Sequence, residues 1–98
     1  MQTDAIHKAL ANPMRRQILA WLREPRVHFA GQEHMLEAGV CAGLIDARTG
    51  LAQSTVSAHL AALQRAGLIT GRKVGQWIYY KRNEDTIKAF LDHLNQGL

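Results

Sequence analysis

Gln53, Ser54, Thr55, Ser57 and His59 crowd the start of one short stretch, and no acidic residue stands among them. Their side chains are short, uncharged at neutral pH, and able to donate and accept hydrogen bonds. A Gln amide can pair bidentately with an adenine edge, and Ser or Thr hydroxyls suit a base or a phosphate oxygen. Reading a major groove needs such side chains on the first turns of a helix, with backbone amides facing phosphate. An ordinary solvated helix start has the same composition, and the stretch by itself leaves both readings open.

Cys41 is the only cysteine, so it has no intrachain disulfide partner. It reads as a small buried residue of a helix, or as a sensor acting by oxidation or by an intersubunit disulfide. His28, His34 and Cys41 lie within or next to one segment and could converge on an ion. Five histidines scattered over 98 residues, however, need no metal. Cys41 with a histidine could also form a nucleophile–base pair, but no oxyanion motif, third member or phosphate loop accompanies it. The expectation is a protein that is not an enzyme and has no cofactor and no metal site.

The elements that must position these residues follow from periodicity. Val56, Leu60 and Leu63 recur at i, i+4, i+7, so a helix from about Ala52 to Ala66 turns one stripe to a core. Gly50 before it and Gly67 after it suit a tight turn and a helix C-cap. Upstream, Val40, Leu44 and Ala47 share helical spacing, which predicts a helix over residues 40–49 and hence a helix-turn-helix pair. Thr3 caps a first helix reaching about Ala11. Asn12-Pro13 starts a second, with Met14, Ile18, Trp21 and Leu22 facing the core, and Glu24-Pro25 stops it. Arg15-Arg16 is either a phosphate contact or a solvated basic turn or salt bridge. Residues 26–39 read as a loop insertion, with a short helix conceivable near its end. Leu68-Ile69-Thr70 and Trp77-Ile78-Tyr79-Tyr80 are strand-forming runs. The loop between them carries Arg72 and Lys73, giving a hairpin that can lie on a phosphate backbone or in a minor groove beside the helix. Asn83 caps a last helix whose stripe is Ile87, Phe90, Leu91 and Leu94.

Size and charge fit that outline. Ninety-eight residues make one domain with a modest core, and 12 Lys+Arg against 8 Asp+Glu favour an anionic partner. No apolar run is long enough to span a membrane, and the first residues lack a signal-peptide pattern. A cytoplasmic protein is expected. The fold class expected is mainly α with a small β-hairpin, a winged helix-turn-helix of order α-α-α-α-β-β-α over residues 1–98.

Three stretches in this order carry a family resemblance. They are Lys8-Ala9-Leu10-Ala11-Asn12-Pro13-Met14-Arg15-Arg16-Gln17-Ile18-Leu19, then Gln53-Ser54-Thr55-Val56-Ser57-Ala58-His59-Leu60 with Leu63 and Ala66-Gly67-Leu68, then Gly75-Gln76-Trp77-Ile78-Tyr79-Tyr80. Together they resemble the ArsR/SmtB family of bacterial winged-helix regulators. The resemblance implies a homodimer joined through its first and last helices, and a repressor that leaves double-stranded DNA when an effector binds. It matches Gln53, Ser54, Thr55, Ser57 and His59 to DNA-reading positions, and Arg72 to the wing. Ala52 stands where the family often has a capping Ser, and residues 26–39 lengthen a connection that is usually shorter. Metal-sensing relatives need a second cysteine where Gly43 stands. The other family site needs spaced ligands on the last helix, where this chain offers Asp92 and His93 roughly 100° apart. Neither metal motif is intact.

A dimer of this kind predicts an imperfect palindrome with half-sites about one helical turn apart. A chain of this size has no obvious means to recruit polymerase, which favours repression over activation. A small-molecule or redox signal, with Cys41 as candidate sensor, is the expected trigger. The alternatives are a metal-responsive repressor built on His28, His34 and Cys41, or a winged helix used only for protein contact through Trp77–Tyr80.

Overall fold

The computed structural model describes residues 1–29 and 37–98. Among them the order is α1 (Thr3–Leu10), α2 (Pro13–Arg23), α3 (Pro25–His28), β1 (Val40–Cys41), α4 (Ala42–Thr49), α5 (Gln53–Arg65), β2 (Ile69–Val74), β3 (Trp77–Arg82) and α6 (Glu84–Gly97). This is the winged helix-turn-helix expected, with a one-turn helix and a third strand added.

The cores of the helices follow their stripes. Ile6, Ile18, Leu22, Ile45, Val56, Leu60, Leu63 and Phe90 are all 5% exposed or less and belong to one apolar cluster. Met14, Trp21, Ile87 and Leu94 pack half-buried at its edge. Trp21 also carries the Arg48 guanidinium over its ring at 5.1 Å, which ties α2 to α4.

Helix ends are decided by caps. The Asn12 side chain accepts hydrogen bonds from the amides of Met14 (2.8 Å) and Arg15 (3.2 Å), with Pro13 at the first helical position. Asn83 likewise accepts from the Thr86 amide at 3.3 Å. Thr3 does not cap α1: it is the first helical residue, and Gln2 before it makes no side-chain cap bond. The carbonyl of Leu10, at the other end of α1, takes a hydrogen bond from Arg16 Nη1 at 2.6 Å.

Two expectations about strands are corrected. Val40 and Cys41 are not helical; they form β1, antiparallel to β3, with Val40 opposite Tyr80 and Cys41 opposite Tyr79. Val40 is 1% exposed, so an apolar side chain was needed there, but the pleat of a strand meets that need as well as a helix does. The buried position of α4 is Ile45, whereas Ala47 is exposed. The hairpin is also longer than its apolar runs. β2 and β3 pair from Ile69–Arg82 to Val74–Trp77, leaving only Gly75 and Gln76 in the turn. Gly75 has φ 62, the left-handed conformation such two-residue turns require. Arg72 and Lys73 therefore lie in a strand, not in a loop. The sheet order is β1-β3-β2.

Of the segment over residues 26–39, the described ends are fixed to the core. Its start is α3 followed by Phe29, 4% exposed, and its close brings Ala38 to 4% exposure before β1. His34 and most of the conceivable short helix lie outside the described residues. Among the described residues, no helix is long and apolar enough to cross a membrane.

Candidate nucleic-acid interface

Helix α5 turns its three buried residues, Val56, Leu60 and Leu63, inward and leaves Gln53, Ser54, Thr55 and Ser57 exposed on its first two turns. Gly50, with φ 70, closes α4 through a bond from its amide to the Asp46 carbonyl (3.2 Å). The Thr49 hydroxyl then donates to Asp46 O and accepts from the Leu51 amide, shaping the turn. Ala52 at the N-cap offers no side-chain bond, and the first turn of α5 has no acid. The amides that open this helix are thus available to an anion, and the helix dipole favours one there.

His59 sits one turn further along and is half-buried. Its Nδ1 accepts a hydrogen bond from Arg15 Nε on α2 at 3.1 Å. Burial, and then the Arg15 charge, hold its pKa below the usual histidine value. This contact bridges 44 positions in the chain, and no local pattern signals it. It also separates the Arg15-Arg16 pair, because Arg16 bonds to the end of α1 while Arg15 bonds to α5.

Arg72 and Lys73 are exposed on β2, opposite Tyr79 and Ile78. As strand neighbours they project to opposite faces of the hairpin, so one face of the wing cannot use both. The base of the hairpin is anchored by Arg82. It forks onto the Glu84 carboxylate at 2.8 and 3.1 Å and donates to the Leu19 carbonyl of α2 at 3.3 Å.

Cys41 is half-buried and lines a cleft of about 260 Å³ with Asp46, Gln53, Trp77 and others, between the start of α4, the start of α5 and the wing. Burial pushes the Asp46 carboxyl above its ordinary value; burial and then Asp46 push the Tyr80 hydroxyl up. His28 is half-buried in α3, and Asp92 and His93 are exposed on α6. Among the described residues, no three His, Cys, Asp or Glu side chains gather as a metal site.

Residues 37–70, which span β1 and the helix-turn-helix, match the family described as bacterial regulatory protein, arsR family. The uncharacterized HTH-type transcriptional regulator YbzH of Bacillus subtilis is 44% identical over 96 residues, 96% of this chain and 96% of its own length. The chain belongs to the ArsR family. Like other ArsR-family members it is a DNA-binding transcriptional regulator and not an enzyme. The transcriptional activator HlyU of Vibrio cholerae is 34% identical over 89 residues, covering 91% of this chain and 70% of HlyU. Among solved structures, the homodimeric winged helix-turn-helix DNA-binding domain Mb0332 of Mycobacterium bovis superposes with a TM-score of 0.68 at 32% identity. That match covers 92% of this chain and 72% of the other. The ArsR match begins at residue 37, so it covers α5 but neither Arg15 nor residues 26–36.

Proposed function

We propose that this regulator acts as a homodimeric repressor that binds an imperfect palindrome and leaves it on an effector or redox signal. The observation that carries the reading is the opening of α5: exposed Gln53, Ser54, Thr55 and Ser57, no acid, and amides without a side-chain cap. These side chains and His59 read base edges, while whichever of Arg72 and Lys73 faces the duplex holds backbone phosphate. One helix reads too few base pairs to specify a site. A twofold dimer sets two of them about one helical turn apart, roughly 34 Å, on the same side of the duplex. The homodimeric state of Mb0332 supports the dimer. Repression needs only that the dimer occupy a promoter; HlyU, named an activator, marks the other direction of control that a reporter assay would test.

Anisotropy titrations with the promoter region upstream of the protein's own gene test the interface. Ser57→Glu brings a carboxylate against the duplex and is expected to weaken binding by about a hundredfold, against about tenfold for Arg72→Ala with Lys73→Ala. Unchanged affinity in Ser57→Glu would overturn the assignment of the recognition helix.

The signal reaches this face through Cys41, which shares its cleft with Gln53. A sulfur that is oxidised or bridged there presses on the first residue of α5. Diamide is expected to release the wild-type protein from the same duplex and to leave Cys41→Ser bound. Equal release of both proteins removes Cys41 as the sensor.

A further inference from the structure

Arginine has donors only and stays protonated at any working pH. A hydrogen bond from Arg15 Nε to His59 Nδ1 therefore has one direction, and Nδ1 must carry the lone pair. A neutral imidazole bears one proton, so that proton resides on Nε2. An imidazolium would set a donor against a donor and a charge against a charge. Among the described residues, no carboxylate lines the groove beside Arg15. Its lining unites Lys8, Arg15 and Arg65 with alanines of α1 and α5, about 240 Å³ in volume. Arg15 itself is half-buried and is placed by the cap of α2, where its amide bonds to Asn12.

We infer that Arg15 is a positioning residue for DNA reading: its bond to His59 holds the imidazole as the Nε2–H tautomer, so that position 59 presents only a hydrogen-bond donor. A donor there selects an acceptor, such as guanine N7 or O6, thymine O4 or a phosphate oxygen, and refuses the amino groups of cytosine and adenine. Without Arg15 the ring samples both tautomers and protonates more readily, and the selection is lost. The inference rests on His59 belonging to the reading face, as proposed above.

The probe is a duplex selected from a random-sequence library by the wild-type protein. Its affinity is measured for wild type, Arg15→Ala, His59→Ala and the double variant at one salt concentration, together with imidazole ¹⁵N spectra of the DNA-free proteins. Each single substitution is expected to weaken binding about tenfold and the double no further, because both remove one device. A double variant weakened about a hundredfold would mean that Arg15 acts on its own, through phosphate, and overturns the inference. So does a wild-type spectrum with His59 protonated on Nδ1, or full affinity in Arg15→Ala. Full affinity in His59→Ala would instead remove His59 from the reading face, a failure of the underlying reading that the Ser57→Glu titration identifies separately. If melting shows Arg15→Ala to be unfolded, Arg15→Met keeps the aliphatic stem and replaces it in the cycle.

Discussion

At residue 39 the chain has no room for a side chain. Gly39 has φ 116, and a Cβ built on it would overlap the Tyr80 carbonyl of β3. Gly50 also has a positive φ, at 70, but a Cβ there meets nothing. The two glycines thus separate packing from backbone strain. Gly50→Ala is expected to cost about 1 kcal/mol, the penalty of a left-handed residue. Gly39→Ala adds an overlap with backbone that cannot swing aside, and should cost about 3 kcal/mol or more, lowering Tm by roughly 10 °C or more. Thermal melts of the two variants check this; equal losses would refute the packing argument. In the sequence Gly39 looks like the end of a loop insertion, because the strand that crowds it lies 41 positions away (80 − 39). His59 is a similar case: its place on α5 was legible, its partner Arg15 was not.

The two ends of α5 differ in how they are finished. At its C-terminus the Leu68 amide bonds to Leu63 O at 3.0 Å and the Gly67 amide to Gln64 O at 2.9 Å, with Gly67 at φ 78. Leu63 and Leu68 then meet in the core, at 0% and 2% exposure. This is the Schellman arrangement that the order Ala66-Gly67-Leu68 announces. At the N-terminus Ala52 leaves the amides uncapped. Ala52→Ser is expected to stabilise the protein by about 1 kcal/mol, seen as a rise in Tm of a few degrees. No change would mean that the turn holds residue 52 where a hydroxyl cannot reach the amides. The hairpin was harder to read. Gly71 and the charges after it resemble a loop, yet they are a paired strand. A Cβ at Gly71 would come within 3.0 Å of the Tyr80 ring and 3.3 Å of Gln64 Nε2, so glycine here makes space for an aromatic ring rather than for a turn.

Over the whole molecule, the core leaves one large apolar residue of α6 outside. Leu91 is 58% exposed, while Phe90 beside it is 5% exposed. Leu91 lies between Ile87 and Leu94, which pack half-buried at the edge of the core, and is itself left uncovered by the described residues. A second copy placed there would supply the dimer that twofold DNA reading needs. Leu91→Glu is expected to shift sedimentation from dimer to monomer with Tm in dilute protein little changed, and to weaken DNA binding by at least about tenfold. A variant that stays dimeric would show that α6 is not the interface.

The sequence by itself determined most features with a short period or a local cap; the helical reading of Val40 and Cys41 and the Thr3 cap are the exceptions. The stripes of α2, α5 and α6, the Asn12 and Asn83 caps, the Gly67 stop and the polar opening of α5 each depend on residues within a few turns of one another. The family resemblance rested on three such stretches in order along the chain, and the match to the arsR family bears it out. Tertiary structure alone decided that Val40 and Cys41 are a strand, that Arg72 and Lys73 sit within β2, that Arg15 orients His59, and that Cys41 faces the same cleft as Gln53. Strand pairing and side-chain contacts join positions tens of residues apart. Their register is set by how the helices pack, and periodicity along the chain carries no information about it.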